Sequence, residues 1–154
     1  RKQTSEGAWI PLWFGNQHLA NDENPVYGTA KVLAALRLLN PDEFPSVKSA
    51  CLRGAVFLAK AQPPGGGWGA GLGGPTSVEE TALAVEALAG LSGVAEAAEQ
   101  AGQGAQWLVE RVEDGTWTQT APIGFYFAKL WYYERLYPMI FTVGALERVA
   151  KATG

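Results

Sequence analysis

Apolar residues recur at helical spacing through most of the chain. Residues 28–39 place Val32, Leu33, Leu36 and Leu39 on one helix face, and Pro41 stops the run. In the next segment Ser46 is a candidate N-cap, with Val47, Cys51, Leu52, Ala55, Val56 and Leu58 on the apolar side. Ser77-Val78-Glu79-Glu80 has the S-x-x-E form of a capping box. It opens an alanine-rich helix through Leu83, Val85, Leu88 and Leu91, with Gly90 and Gly93 marking its end. Residues 95–110 predict a fourth, amphipathic helix and residues 138–152 a fifth. No stretch alternates convincingly with period two; residues 117–120 are the best strand candidate and are short.

A motif recurs between these helices. Gln3, Gly7 and Trp9 are spaced Q-x-x-x-G-x-W, and Gln62, Gly66 and Trp68 repeat the spacing. A third copy ends on Gly115 and Trp117 but has Arg111 in place of glutamine. The glycine permits a turn with positive φ. The tryptophan supplies a broad apolar plate. The glutamine amide can lie against that plate and bond nearby helix ends. These features predict staples that tie one helical hairpin to the next.

Composition and charge narrow the chemistry. The 154 residues are 47% hydrophobic with a net charge of −3, which excludes a disordered segment and gives no basic footprint for nucleic acid. Cys51 is the single cysteine, so no internal disulfide forms; it reads as a small buried apolar residue in a helix. No apolar run is long enough to span a bilayer. The segment from Gly65 to Gly74 is glycine-rich but lacks the lysine and serine or threonine that end a phosphate loop. His18 is the only histidine and reads as a loop residue, so no metal site is expected. Asp22, Asp42 and Asp114 are the only aspartates, and they lie far apart in turns and linkers.

The tryptophan motifs resemble the QW motifs of the squalene-hopene and oxidosqualene cyclases. Four further segments carry the resemblance in order. Trp9 to Gly15 is similar to the family's W-x-G-R-W-G, and Tyr27-Gly28-Thr29 with Val32 to Leu36 resembles Y-G-T-x-x-V-L-x-A-L. Thr76 to Leu88 resembles S-T-x-S-Q-T-A-W-A-L-x-A-L. Tyr137-Pro138, Phe141, Ala145-Leu146 and Arg148 resemble the closing Y-P-x-x-F-P-L-x-A-L-G-R-Y.

The resemblance implies an all-α fold over residues 1–154: an α/α toroid, here a partial barrel of paired inner and outer helices joined by QW-type turns. The chain, beginning at Arg1 inside a motif, is then the C-terminal portion of a longer protein. The implied activity is class II terpene cyclisation of a linear, squalene-like isoprenoid to a polycyclic product, without a cofactor. Tyr27, Tyr137 and Phe125 are the implied cavity residues. No catalytic residue is expected in this chain, because the family's D-x-D-D proton donor is absent and would lie in the missing N-terminal portion. The chain alone is therefore expected to be inactive. The implied location is cytoplasmic, with peripheral association at the membrane face and no nucleic-acid partner.

Departures from the family pattern are Ala61, where a histidine is usual, Leu83 in place of a tryptophan, and an insertion-like stretch over residues 16–25. They leave open a non-catalytic helical toroid binding module and a prenyltransferase-like isoprenoid enzyme.

Overall fold

Helix α1, Pro25–Leu36, starts where Asn24 and Pro25 direct it. The Asn24 side chain accepts the Tyr27 N–H at 3.0 Å, and proline at the first helical position gives up an N–H that would be unpaired anyway. These details come from a computed structural model, which describes residues 2–39, 43–89, 91 and 94–154. The expected stops and linker residue at Pro41, Asp42, Gly90 and Gly93 lie outside the described residues. The remaining helices are α2 (Pro45–Ala61), α3 (Val78–Leu88), α4 (Ala95–Glu113) and α5 (Tyr137–Thr153).

Two of the boundaries differ from expectation, at α2 and α3. Pro45 sets the start of α2 behind Phe44, so Ser46 falls in the first turn and caps nothing. Helix α3 stops at Leu88 rather than running through Leu91. Ser77 does cap α3, accepting the Glu80 N–H at 3.1 Å. The Glu80 carboxylate takes the Ser77 hydroxyl rather than its N–H, which instead bonds the Trp68 carbonyl at 2.9 Å. On α2, Leu52 faces solvent while Gly54, Ala55 and Leu58 face the core.

Helices α1, α3 and α5 form an inner row, with α3 packed between the other two. Helices α2 and α4 form an outer row, α2 behind α1 and α4 behind α3. The arrangement is an arc of two helical layers, as in an α/α toroid. The core lies between the layers around Leu33, Leu58, Trp68, Val85, Leu88 and Leu108. Ten of the eleven residues of α3 are buried, Glu79 and Glu80 among them.

Residues 117–120 are not a strand: Thr116–Thr118 forms a 3-10 turn. Strands form instead at β1 (Phe14–Gly15), β2 (Ile123–Phe125) and β3 (Leu130–Tyr132), paired antiparallel in that order. Segments of two or three residues show no alternation, and Phe14 finds Phe125 only after the helices have packed.

The two complete tryptophan motifs are built alike. The Gln3 amide donates to the carbonyls of Gly7 (2.8 Å) and Ala50 (2.9 Å); the Gln62 amide donates to those of Gly66 (2.6 Å) and Gln100 (3.1 Å). Each glutamine thus joins its own turn to the interior of the following outer helix, not to a helix end. The backbone N–H groups of Trp9 and Trp68 donate to the hydroxyls of Thr29 and Thr81 on the inner helices, at 3.0 and 2.8 Å. Four residues beyond each accepting carbonyl stands a glycine, Gly54 or Gly104, where any Cβ would collide with the indole ring. Gly66 has φ +90, and a Cβ there would lie 2.9 Å from the Gln103 carbonyl oxygen. One motif therefore holds a turn, an inner helix and the next outer helix.

The third copy is not such a staple. Arg111 lies inside α4, pairs with Asp114 at 3.2 Å and covers the Trp107 ring at 5.0 Å. Helix α4 runs past the position where Gln62 leaves α2. After it the chain turns inward to α5, so no third outer helix is there to be gripped among the described residues.

Two substitutions test this frame. Gly66→Ala suffers both left-handed strain and the clash with Gln103, whereas Gly115→Ala has φ +79 but open space around its Cβ. Denaturant titration should show Gly115→Ala losing about 1 kcal/mol and Gly66→Ala losing more than twice as much. Equal losses would refute the close-packed turn.

Candidate functional site

The inner helices run parallel, and their first turns meet at one end of the arc. The buried Glu80 carboxylate accepts from Asn24 at 2.8 Å and from Asn16 at 3.2 Å, in addition to Ser77. Asn24 also caps α1, so one side chain closes the starts of two helices. The 16–25 stretch is thereby pinned to α3, and Lys129 pairs with Asp22 at 2.9 Å to hold the β2–β3 hairpin against it. At the opposite end, Arg37 donates to the Glu86 carbonyl at 2.8 Å and its carboxylate at 3.0 Å, fixing α1 against α3 again.

This scaffold presents a wall of aromatic rings. Trp13 meets Phe127 at 5.3 Å between centroids, Phe127 meets Phe125 at 5.9 Å, and Phe125 stacks on Phe14 at 6.1 Å. Phe14 meets Tyr27 at 5.3 Å. On α5, Tyr137 meets Phe141 at 5.1 Å. Lys31 joins the two groups, its ammonium lying over Tyr27 and Phe141. Offset and edge-on ring pairs at such distances are attractive beyond the area they bury. Several of these rings remain accessible, Trp13 by 51% and Phe127 by 59%, beside exposed Leu130, Leu136 and Ile140. A continuous apolar face of this kind marks a binding surface more often than a free one.

Local burial shifts titratable groups at the wall. Burial, with the neighbouring Tyr137, Tyr132 and Glu80, pushes the Tyr27 phenol up to about 12. Burial and then Tyr137 raise Tyr132. Behind the wall, burial pushes the Glu79 carboxyl up to about 7, although its Oε1 accepts the Ala121 N–H at 2.8 Å. The other oxygen, Oε2, is buried without a hydrogen-bond partner.

Tyr27, Phe125 and Tyr137 thus stand at one end of the molecule, in the first turn of α1, on β2 and at the start of α5. Phe14, Phe127, Trp13 and Lys31 join them there, and sequence reasoning had not singled these out as site residues. Glu79 and Asn16 were also missed; no periodicity signals them, because their partners lie 42 and 64 residues away. Ala61 and Leu83 are buried in the core between the layers. Cys51 is half-buried, and burial raises its thiol. His18 is exposed in a turn, and the described residues hold no group of three metal-ligating side chains. No helix among them is long and apolar enough to cross a membrane.

With this geometry established, comparison with known proteins is informative. The family model described as the squalene-hopene cyclase C-terminal domain matches residues 1–151. The terpene cyclase–glycosyl transferase fusion protein of Humicola fuscoatra is 34% identical over 71% of the chain. The enfumafungin synthase of Hormonema carpetanum is 29% identical over 85% of it. The chain spans only 8% and 9% of the lengths of these two relatives. No solved structure matches the chain at the same stringency.

The raised Glu79 carboxyl has a measurable consequence. Its folded-state pKa lies above the ordinary value of 4.5, so the fold favours the protonated form. That contribution is complete below pH 4.5 and is lost as pH rises through about 7. Denaturant midpoints of wild type and Glu79→Gln, compared across this range, should diverge, with wild type losing stability relative to the variant as pH increases. Parallel profiles would show that Glu79 titrates normally.

Proposed function

Because the chain belongs to the squalene-hopene cyclase C-terminal domain family, we propose that it supplies part of the cavity wall of a terpene cyclase acting on a linear, squalene-like isoprenoid. The observation that carries this reading is the run of rings from Trp13 to Tyr27, set at the joined N-terminal ends of the inner helices. Such a wall suits carbocation chemistry. It offers an apolar surface to fold a hydrocarbon against, and π faces that stabilise positive charge without acting as nucleophiles.

In the proposed reaction an acid protonates a terminal double bond of the substrate. The electron pair of each following double bond then attacks the neighbouring cationic carbon and closes a ring. Loss of a proton, or capture of water, discharges the last cation. The chain contains no D-x-D-D sequence, so the proton donor belongs to residues outside it, and this chain alone is inactive. Tyr27, Phe125 and Tyr137 line the wall in this reading, and the faces of Phe14, Phe125 and Phe127 are offered to the migrating charge. The exposed apolar face closes against the remaining helices of the complete enzyme.

The test is conversion of squalene by the complete enzyme, followed by gas chromatography and mass spectrometry. Phe125→Leu keeps apolar bulk but removes a ring face; conversion should fall about tenfold, roughly 1.4 kcal/mol of transition-state stabilisation, with more partly cyclised product. Tyr27→Phe keeps the wall intact and should change little. Wild-type conversion and products from Phe125→Leu would remove the support for this reading.

A further inference from the structure

Lys31 stands one helical turn beyond Tyr27 on α1. Positions 27 and 31 share one side of the helix: Tyr27 is half-buried against the edge of the core, and Lys31 is exposed beyond it. The Lys31 Nζ is 4.6 Å from the ring centroid of Phe141 and 5.8 Å from that of Tyr27. An ammonium within cation–π range of two rings occupies a position where another cation would be attracted. Trp13, Phe14, Phe125 and Phe127, at the other end of the wall, have no cation over them among the described residues.

Building on the cyclase reading, we propose that Lys31 is a specificity-determining residue: its ammonium fills the cation position between Tyr27 and Phe141, so the positive charge of a cyclising substrate is kept from those two rings and its migration ends before them. The physical basis is twofold. The two ring faces are already occupied by a cation of the protein, and a second positive charge brought beside it is repelled. Burial pulls Lys31 below the usual lysine range and Glu86 opposes that shift. The ring faces favour the charged form as well. The wall is thereby divided into a stretch that accepts a carbocation and a stretch that refuses one.

A binding measurement isolates this claim from catalysis. Tetramethylammonium is titrated into the protein while the ring resonances of Tyr27 and Phe141 are followed by NMR. Lys31→Gln should bind the probe at least about tenfold more tightly than wild type, and Lys31→Arg, which keeps the charge, should bind as weakly as wild type. Lys31→Met serves as the neutral variant should the glutamine variant fail to fold. Equal affinity in wild type and the neutral variants would overturn the inference. In the complete enzyme with squalene, the neutral variants should add products derived from a later cation while Lys31→Arg leaves the product mixture unchanged; an unchanged mixture in all variants would also overturn it. A wild-type enzyme that fails to cyclise squalene defeats the cyclase reading, and the probe titration then decides on Lys31 by itself.

Discussion

A buried carboxylate at the start of the central helix organises this molecule. Glu80 is 3% exposed, so the oxygens of its carboxyl group must be met by donors inside the protein. Ser77 meets it from its own helix, Asn24 from the start of α1, and Asn16 from the stretch leading out of β1. The positive end of the α3 dipole adds to these bonds. Satisfying one buried carboxyl group therefore brings together two inner helices, a loop and the edge of a small sheet. The aromatic wall stands on these pieces, since Phe14 opens β1 and Tyr27 lies in the first turn of α1.

The remainder of the frame comes from a duplicated device. In each complete motif a glutamine amide bridges a turn and the next outer helix, while a threonine hydroxyl from an inner helix takes the tryptophan backbone N–H. Polar bonds fix the separation of the layers, and the indole fills the space left by a missing Cβ on the outer helix. At the third copy, where the described residues hold no third outer helix, Arg111 stands in place of glutamine and the grip is lost. The staple and the Glu80 cluster divide the work: one holds the two layers apart, the other gathers the inner helices at the end where the rings lie.

Much of this was legible without coordinates, and the legible part is local. Helical spacing placed all five helices, and the Ser77 cap and the glutamine–glycine–tryptophan spacing are written in contiguous residues. The misses at the site share one cause, distance along the chain. Asn24 is a helix cap but also a partner of a residue in a different helix, and only the first role has a sequence signature. Strands of two or three residues show no pattern until Phe14 pairs with Phe125. Lys31 reads as an ordinary polar position on an amphipathic helix; its meaning comes from Phe141, more than a hundred residues away, lying beneath its ammonium.

By itself, then, the sequence determined the helices, their order, the two complete motif turns and the membership of a family, because each depends on short-range spacing or on an ordered series of motifs. The tertiary structure alone decided which rings form one wall, which carboxyl is driven up to about 7 by burial, and where a fixed positive charge sits among the rings. Those properties arise from desolvation and from distances across the fold. No spacing along the chain encodes either until α1, α3 and α5 have been brought side by side.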